Sequence, residues 1–396
     1  MDLPTIADLE VAGKRVLVRC DFNVPLKDGT ITDDLRIRAS VPTLEALLDR
    51  GARLTVCSHL GRPKGKVVDE LRLAPIGRAL GQLLGRTVDA VRDVAGPEAQ
   101  AASKSMADIV LLENLRFEPG EESNDPAFAE ALAALADAYV NDAFGAAHRA
   151  HTSVVGVAER LPSAAGLLLA DEVTKLQKLL HDPERPFVTV LGGAKVSDKL
   201  GVISNLLDRV DTICIGGAMA FTLLVAQGHD VGRSLVEQDR VSEVTEVLKD
   251  AEARGVDILL PTDVVAAEAP EEGAPHKTVP LAAIGDRLGV DIGPDTAASF
   301  GAAIEAARTV LWNGPMGIFE IDAFSEGTRE IARAVGRATG SGAYTVAGGG
   351  DSAAALRQME MTDAVSHLST GGGASLELLE GKELPGIAVL KKKENA

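Results

Sequence analysis

The amino-acid sequence predicts an α/β fold made of two doubly wound, Rossmann-like lobes of parallel sheet. Short β-branched and aliphatic runs alternate with longer amphipathic segments along nearly the whole chain. This alternation is typical of parallel sheets covered by helices on both faces. Glycine and charged residues cluster just after the strands, at the sheet edge where open α/β folds bind ligands. These clusters differ between the halves, which predicts two lobes with different ligands.

The composition excludes several classes of protein. The chain has 396 residues, of which 25% are charged and 46% hydrophobic, and 40 basic against 58 acidic residues give a formal net charge of −18. Such a charge disfavours nucleic acid and anionic membranes as partners. Residues 1–10 contain no apolar signal-peptide core, and no apolar run is long enough to span a membrane. The three cysteines have no metal-ligand spacing and resemble small buried hydrophobes. We expect a cytoplasmic protein.

The element boundaries follow from the periodicity of the apolar residues. The predicted strands are 15–20, 54–58, 109–113, 138–141, 187–191, 212–215, 257–260, 309–312, 343–347 and 364–368. The amphipathic segments between them include 44–50, 76–84, 128–136, 241–253 and 328–337. Segment 167–180 has helical periodicity and is predicted to be the helix that connects the lobes.

Basic or imidazole side chains follow successive strands in the first half. They are Arg36 and Arg38, His59 and Arg62, Arg116, and His148, Arg149 and His151. Their convergence on one sheet edge of an acidic protein indicates an anionic small molecule, since arginine suits bidentate phosphate or carboxylate contacts. Any single arginine could instead pair with a nearby acid such as Asp33, Asp34, Glu118 or Glu121.

Segment 187–200 predicts a phosphate site. A β-branched strand ends at Gly192 and Gly193, and a helix-like segment then carries Lys195 and Lys199, four residues apart. Two lysines in the first turn of a helix repel each other and face a partially positive helix end. A bound polyanion would compensate both effects. The alternative is a pair of solvated surface lysines beside a structural turn.

Two later glycine loops add to this second cluster. Residues 348–353 fit G-x-G-x-x-A, so a dinucleotide site must be considered. Asp351 would then lie beside a pyrophosphate without a metal, and no acid closes the next strand, so Asp351 is better suited to bind Mg²⁺ on a nucleotide phosphate. No Walker A motif is present. Residues 371–373 precede a helical run and offer another anion-binding helix start, although tight turns that need glycine would explain any one of these loops.

Taken together, eight motifs resemble those of the phosphoglycerate kinase family and occur in the same order. They are DFNVP, SHLGRP, ENLRF, NDAFGAAHRAHTS, LGGAKVSDK, WNGPMGIFE, GGGDS and STGGGAS. The resemblance runs from the first strand to Gly386. It implies reversible phosphoryl transfer between 1,3-bisphosphoglycerate and ADP, giving 3-phosphoglycerate and Mg-ATP. It also implies an N-terminal lobe of residues 1–167 plus 380–396 that binds 3-phosphoglycerate, and a nucleotide-binding lobe of residues 168–379.

The resemblance assigns roles to individual residues. The implied glycerate ligands are Asp21, Asn23, Arg36, His59, Arg62, Arg116 and Arg149. The implied nucleotide ligands are Lys195, Lys199, Gly289, Asn313, Glu320, Gly349, Gly350, Asp351 and Ser352, with Asp351 on Mg²⁺. The implied catalytic residues are Arg36, Lys195, Gly371, Gly372 and Gly373. The family also suggests a monomer.

The implied reaction needs no general base, because the attacking carboxylate, with a pKa near ~4, is already ionised at neutral pH. Negative charge on the migrating phosphoryl group must be stabilised instead. Our hypothesis is that Arg36 and Lys195 meet at that group when the lobes close, and that the amides of 371–373 add an oxyanion-type site. Two other functional classes are alternatives to a kinase. One is a nicotinamide-dependent dehydrogenase, which rests only on residues 348–353, and the other is a two-lobed binding protein without catalysis.

Overall fold

The computed structural model describes residues 3–391. The chain forms two compact units: unit 1 runs to Thr174 and includes the chain from Glu383 onward, and unit 2 is Lys175–Lys382. The expected lobe boundaries were at residues 167 and 380, and residues 1–2 and 392–396 of that expectation lie outside the described part. No helix within residues 3–391 combines the length and apolar character that a membrane crossing requires.

Unit 1 is built on a six-stranded parallel sheet. Its strands and a small hairpin (β2 and β3) are β1 Arg15–Arg19, β2 Leu26–Lys27, β3 Thr30–Ile31, β4 Arg53–Cys57, β5 Asp89–Ala90, β6 Ile109–Leu111, β7 Ala138–Asn141 and β8 Ser163–Ala165. Its helices, the last of them near the end of the chain, are α1 Leu35–Asp49, α2 Ala74–Leu84, α3 Pro97–Ser103, α4 Pro126–Ala133, α5 Leu167–His181 and α13 Pro385–Lys391. The sheet order is β5-β6-β4-β1-β7-β8.

This strand order creates a crevice beside β1. The chain runs outward from β1 through β4 in one direction and returns to β7 on the other side, so the order reverses between β1 and β7. Ligands of open α/β sheets bind at such a reversal, beyond the carboxyl ends of the strands. Every residue of β1 is buried, as expected for a parallel strand covered by helices on both faces.

Asp142, which directly follows β7, fixes the start of α5. Its Oδ1 accepts hydrogen bonds from the backbone N–H of Leu168 at 3.0 Å and from Thr43 Oγ1 of α1 at 2.8 Å. A carboxylate at this position satisfies N–H groups that the first turn leaves unpaired. The helix then runs to His181, close to the 167–180 expected from the periodicity. The division between the two units falls inside it, after Thr174.

Unit 2 repeats the parallel arrangement. Its strands are β9 Phe187–Leu191, β10 Thr212–Ile215, β11 Asp257–Leu259, β12 Asp263–Ala267, β13 His276–Pro280, β14 Leu288–Ile292, β15 Thr309–Asn313, β16 Tyr344–Gly348 and β17 His367–Leu368. Its helices are α6 Leu200–Leu206, α7 Met219–Ala226, α8 Val241–Arg254, α9 Pro294–Ala306, α10 Glu326–Gly340, α11 Gly350–Gln358 and α12 Gly373–Leu379. The parallel sheet has the order β11-β10-β9-β15-β16-β17, which reverses between β9 and β15. The α/β class with doubly wound parallel sheets is thereby confirmed.

Unit 2 also contains a three-stranded antiparallel sheet, β13-β12-β14, that the sequence analysis did not foresee. Four of the five residues of β13 are exposed and its central residues are polar, so it lacks the apolar run of a buried strand. The register between β12 and β14 also shifts at Val265 and Ala266, which interrupts any simple alternation. Strands of this kind leave little signal in a sequence.

The helix after β9 begins later than the sequence predicted. Helix α6 starts at Leu200, so the prediction of a helix that already carries Lys195 and Lys199 was wrong. The backbone N–H and hydroxyl of Ser197 both donate to the carboxylate of Glu237, at 3.0 and 2.6 Å. These bonds hold residues 192–199 as a loop, and both lysines precede the first turn of the helix.

Candidate active site

A compact polar cluster lies at the carboxyl ends of β1 and β4 in unit 1. Asp21 follows β1, and its Oδ2 lies 3.0 Å from the guanidinium of Arg36 at the start of α1. Asn23 Oδ1 accepts a hydrogen bond from the N–H of Gly61 at 2.9 Å, which ties the loop after β1 to the loop after β4. His59 Nδ1 lies 3.9 Å from Asp21 Oδ1. The structure therefore brings four of the sequence-predicted residues and their loops together.

Electrostatics fix the charge states in this cluster. Burial opposes ionisation of Asp21, but His59 when it is protonated, together with Arg36 and Arg19, holds the pKa of its carboxyl below the ordinary value. Burial lowers the pKa of His59 well below its ordinary value, with Arg19, Arg116 and Arg36 adding to the effect and Asp21 opposing it. At neutral pH the cluster therefore holds an ionised Asp21 and an uncharged imidazole.

The other basic residues of unit 1 differ in how they are held. Arg116 is buried and donates to the carbonyl of Gly61 at 2.6 Å, and its Nε lies 3.3 Å from Glu122. The half-buried Arg149 donates to His148 Nε2 at 3.1 Å, and Arg62 is exposed. Within residues 3–391, neither Arg62 nor Arg149 forms an ion pair with an acid. Local pairing therefore does not explain the whole basic cluster.

Arg38 does follow the local-pairing alternative. It is exposed and pairs with Asp34 four residues earlier on the chain, at 2.8 Å. An exposed pair of this kind contributes little to stability. Its geometry does not indicate that Arg38 binds a ligand. The sequence could not distinguish Arg36 from Arg38. The structure indicates different roles, because Arg36 belongs to the polar cluster and Arg38 does not.

Two cavities adjoin at the carboxyl ends of β9 and β15 in unit 2. The first, about 470 Å³, is mostly apolar and is lined by the start of α7, by strand β14 and by residues 315–320. The second, about 580 Å³, is more polar and is lined by the loop after β9, the start of α11 and the start of α12. Gly193, Ala194 and Asp351 line both cavities. An apolar compartment that continues into a polar one lined by Lys195 and Lys199 suits a nucleobase attached to phosphates.

Lys199 is the buried cation of the polar cavity. It is only 9% exposed and donates a hydrogen bond to Asn313 Oδ1 at the end of β15. Burial lowers the pKa of Lys199 to about 8, although Asp198, Asp351 and Glu380 oppose that shift. The Nδ2 of Asn313 is buried without a hydrogen-bond partner in the described part of the chain. A buried amide donor beside a buried ammonium group is suited to an anion.

Lys195 lies in the same cavity but is exposed. Lys195 forms no ion pair within the described residues. The nearby acid Glu237 instead accepts a hydrogen bond from Ser197. The loop places the lysine on the cavity wall without an ion pair that anchors its ammonium group. Lys195 and Lys199 therefore offer one free and one anchored positive charge.

The glycine loops place backbone amides around the polar cavity. Gly349 has a φ of 95°, which favours glycine, and it precedes α11, whose first turn holds Gly350, Asp351 and Ser352. Ser352 is buried, and its Oγ accepts a hydrogen bond from the Gly314 N–H at 2.7 Å, so its side chain braces the loop. Both Gly349 and Gly350 line the cavity.

The three glycines before α12 are not equivalent. Gly372 and Gly373 line the polar cavity, whereas Gly371 is buried and its N–H donates to Ser369 Oγ at 3.2 Å. The expectation from the sequence was that residues 371–373 act together as one oxyanion-type loop. Gly372 and Gly373 therefore line the cavity, whereas the N–H of Gly371 is committed to the protein.

Most residues that line the apolar cavity could not be predicted from the sequence. Of the residues predicted to bind nucleotide, Gly289, Glu320 and Asp351 line it, and Glu320 is exposed. A Cβ atom on Gly289 would lie 2.1 Å from Phe221 Cζ, so any larger residue there would displace the Phe221 ring. Phe221, Leu288 and Met316 complete the wall. Aliphatic and aromatic residues at scattered positions look like core residues in a sequence, and no motif marks them as cavity walls.

The donor set of unit 2 fits a metal that arrives with its substrate. No group of three or more His, Cys, Asp or Glu residues within residues 3–391 could hold a metal ion by itself. Asp351 is an exposed carboxylate on the wall of the polar cavity. Mg²⁺ is commonly bound in this way, by one or two carboxylates together with substrate phosphates. Fold and site together define a nucleotide-dependent phosphotransferase of the doubly wound α/β class.

Comparisons with known proteins agree with this class. The family model for phosphoglycerate kinase matches residues 6–382. A phosphoglycerate kinase of Moorella thermoacetica is 57% identical over 392 residues, covering 98% of this chain and 99% of the relative. The solved phosphoglycerate kinase of Coxiella burnetii has a TM-score of 0.88 at 40% identity, covering 99% of this chain and 100% of that one. That of Pyrococcus horikoshii has a TM-score of 0.87 at 32% identity, with the same coverage. The chain belongs to the phosphoglycerate kinase family.

Its activity follows from that membership. The chain is a glycolytic kinase that transfers a phosphoryl group reversibly between 1,3-bisphosphoglycerate and ADP, forming 3-phosphoglycerate and ATP by direct in-line transfer. The functional prediction made from the sequence is confirmed. The dehydrogenase suggested by residues 348–353 and the binding protein without catalysis have no support from the family.

Proposed function

We propose that unit 1 binds 3-phosphoglycerate and that unit 2 binds the nucleotide with Mg²⁺. The observation that carries this assignment is the pair of adjoining cavities in unit 2, one mostly apolar and the other polar with Lys195 and Lys199 in its lining. Unit 1 instead offers a polar cluster of arginines and one imidazole around Asp21. A small acid with two anionic groups, a carboxylate and a phosphate, suits such a cluster, because it needs many charged donors and little apolar surface.

In unit 1 the ligand set divides by charge and exposure. The proposed 3-phosphoglycerate ligands are Asp21, Asn23, Arg36, His59, Arg62, Arg116 and Arg149. Arg62 and Arg149 supply guanidinium groups that no acid of the described chain neutralises. Asp21 is suited to accept a hydrogen bond from the substrate hydroxyl, since its pKa lies below the ordinary value.

In unit 2 we place the base and ribose in the apolar cavity, between Gly289 and the exposed carboxylate of Glu320. The carboxylate suits the two ribose hydroxyls as an acceptor. The phosphates then extend toward Lys199, the free amide donor of Asn313 and the start of α11. Gly349, Gly350, Asp351 and the backbone N–H of Ser352 form that helix start.

Asp351 would hold Mg²⁺, which would supply positive charge to neutralise the nucleotide phosphates. Arg36 and Lys195 stabilise the charge of the migrating phosphoryl group, and the amides of Gly372 and Gly373 add fixed dipoles beside it. No group needs to remove a proton, because the acceptor carboxylate is ionised at neutral pH.

The assay that tests this proposal measures ADP formed from ATP, with and without 3-phosphoglycerate and with Mg²⁺ or EDTA. We expect turnover only when both the acid and the metal are present. In Asp351→Asn, the Mg²⁺ concentration for half-maximal turnover should rise at least about tenfold. Asp198→Asn is the matched control, because Asp198 lines the same cavity away from the start of α11. An unaltered Mg²⁺ titration in Asp351→Asn would contradict the metal role.

Nucleotide affinity should depend on pH through Lys199. Its pKa is about 8 in the free protein, and nearby phosphates will raise it in the complex. Binding therefore takes up a proton near pH 8, and the affinity for ADP falls above that pH by up to about tenfold per pH unit. Calorimetry without Mg²⁺, in buffers of different ionisation enthalpy, measures this uptake. Lys199→Arg keeps its charge and should show none, and equal uptake in both proteins would refute the assignment.

We also propose that the protein acts as a monomer in the cytoplasm and has no nucleic-acid partner. The net charge of −18 supports the last point. Cys20, Cys57 and Cys214 are free and buried, as suits a reducing compartment. Light scattering coupled to size-exclusion chromatography checks the oligomeric state against a monomer mass of 41.2 kDa.

A further inference from the structure

Arg19, the last residue of β1, is a buried cation to which the assignments above give no role. It is only 1% exposed and is among the largest fully buried side chains. An ionised guanidinium inside a protein is costly unless its donors are satisfied and its charge is balanced. Its partners therefore indicate why it is there.

The partners of Arg19 form a chain of hydrogen bonds that ends at His59. Nε of Arg19 donates to Ser153 Oγ at 2.9 Å, and Ser153 Oγ in turn donates to Glu121 Oε1 at 2.6 Å. Nη1 donates to the carbonyl of Cys20. Nη2 lies 3.1 Å from Nδ1 of His59. Glu121 and Ser153 thus hold one edge of the guanidinium while the other edge faces the imidazole.

The direction of the last hydrogen bond determines the tautomer of His59. A guanidinium has donors only, so Nδ1 of His59 must be the acceptor. Burial keeps the imidazole uncharged at neutral pH, so its single proton is on Nε2. Asp21 Oδ1 is 3.9 Å from Nδ1, too far to receive a proton from it. Nε2 donates to no other residue in the described part of the chain and is left for a ligand.

We propose that Arg19 is a positioning residue for the phosphoryl transfer: it holds His59 in the Nε2–H tautomer, so that the imidazole donates a hydrogen bond to an anionic oxygen of 3-phosphoglycerate. This inference rests on the proposed function in one respect, the assignment of His59 as a substrate ligand. The tautomer itself is a property of the ligand-free protein and can be measured without substrate.

Removing Arg19 should reverse the tautomer. The charged groups that face His59 are then Asp21 after β1, Arg36 on α1 and Arg116 after β6. Asp21 is the nearest of them, and it favours a proton on Nδ1. An uncharged His59 would then turn a lone pair toward the anionic substrate, whereas a protonated His59 would still donate from Nε2. Substrate binding by Arg19→Met should therefore weaken as the pH rises through the pKa of His59.

The matched control is Arg15→Met. Arg15 is also a buried arginine on β1, but it lies at the opposite end of the strand and donates to the carbonyls of Leu54, Ala107 and Ser105. It has no contact with His59. Its loss should cost stability without changing the tautomer.

The experiment records long-range ¹H–¹⁵N correlations of ¹⁵N-histidine-labelled protein, with His59→Gln to assign the His59 signals among the seven histidines. We expect an unprotonated Nδ1 in the wild type and in Arg15→Met, and a protonated Nδ1 in Arg19→Met. We also expect the ratio of the Kd for 3-phosphoglycerate in Arg19→Met to that of the wild type to rise about tenfold with pH. Using the ratio cancels the ionisation of the substrate phosphate itself.

A protonated Nδ1 in the wild type, or the same spectrum with and without Arg19, would overturn the inference. If Arg19→Met does not fold, the double variant Arg19→Met/Glu121→Gln also removes the buried acid Glu121, which has lost its balancing charge. The same spectra of that variant then test the tautomer of His59. Unchanged substrate binding by His59→Gln would instead count against the proposed function, whatever tautomer the spectra report.

Discussion

Arg36→Ala lowers kcat about 100-fold to 1,000-fold and leaves the Kd for ADP unchanged: this is the result we expect for a donor that acts on the migrating phosphoryl group. The guanidinium of Arg36 is held by Asp21 Oδ2 at 3.0 Å and by the carbonyl of Asn23 at 3.4 Å, so its position is fixed before substrate arrives. Preorganised charge of this kind stabilises a transition state without reorganisation. Steady-state kinetics in the ATP-consuming direction and calorimetry with ADP measure the two quantities.

Arg38→Ala is the matched control for this variant. Arg38 lies two residues further along α1, is exposed, and is paired with Asp34. Its removal takes the same charge from the same helix but leaves all the proposed 3-phosphoglycerate ligands in place. We expect kcat within about twofold of the wild type, since exposed pairs of this kind are weak. An Arg36→Ala protein with normal kcat and weakened ADP binding would show that Arg36 serves the nucleotide instead.

Most of the fold could be predicted because buried parallel strands have a strong sequence signal. Strands β7, β9 and β10 coincide with their predicted ranges, and each is a short apolar run followed by polar or glycine residues. A strand covered on both faces cannot alternate, so its residues are nearly all apolar. The antiparallel sheet could not be predicted in the same way, because β13 is mostly exposed.

The site could be predicted only where chemistry marks the residues. Lys199, Asn313 and Asp351 stand out beside glycine loops, and the structure places all three on one cavity. Phe221 does not stand out, because an aromatic residue in an apolar helix usually belongs to a core. Arg19 was overlooked for a related reason. It closes an apolar strand, and a charge at a strand end normally indicates exposure, whereas here hydrogen bonds to Ser153, and from Ser153 to Glu121, allow its burial.

The two lysines of the polar cavity should separate into a catalytic and a binding residue. Lys195 is exposed and unanchored, whereas Lys199 is buried and donates to Asn313. We assign Lys199 to nucleotide phosphates whose charge is the same in the ground and transition states, so its loss raises the Kd. We assign Lys195 to the migrating phosphoryl group, whose charge develops during transfer, so its loss lowers kcat.

We therefore expect Lys195→Ala to lose about 3 kcal/mol of transition-state stabilisation, or roughly 100-fold in kcat, with little change in the Kd for ADP. Lys199→Met should show the opposite pattern, a weakened Kd with a smaller loss of kcat. Single-turnover kinetics at saturating nucleotide separate the two effects, because they report the chemical step without product release. Equal losses of affinity in both variants would mean that the lysines bind the phosphates as one unit. The catalytic charge of unit 2 would then have to come from the amides of Gly372 and Gly373, which line the same cavity.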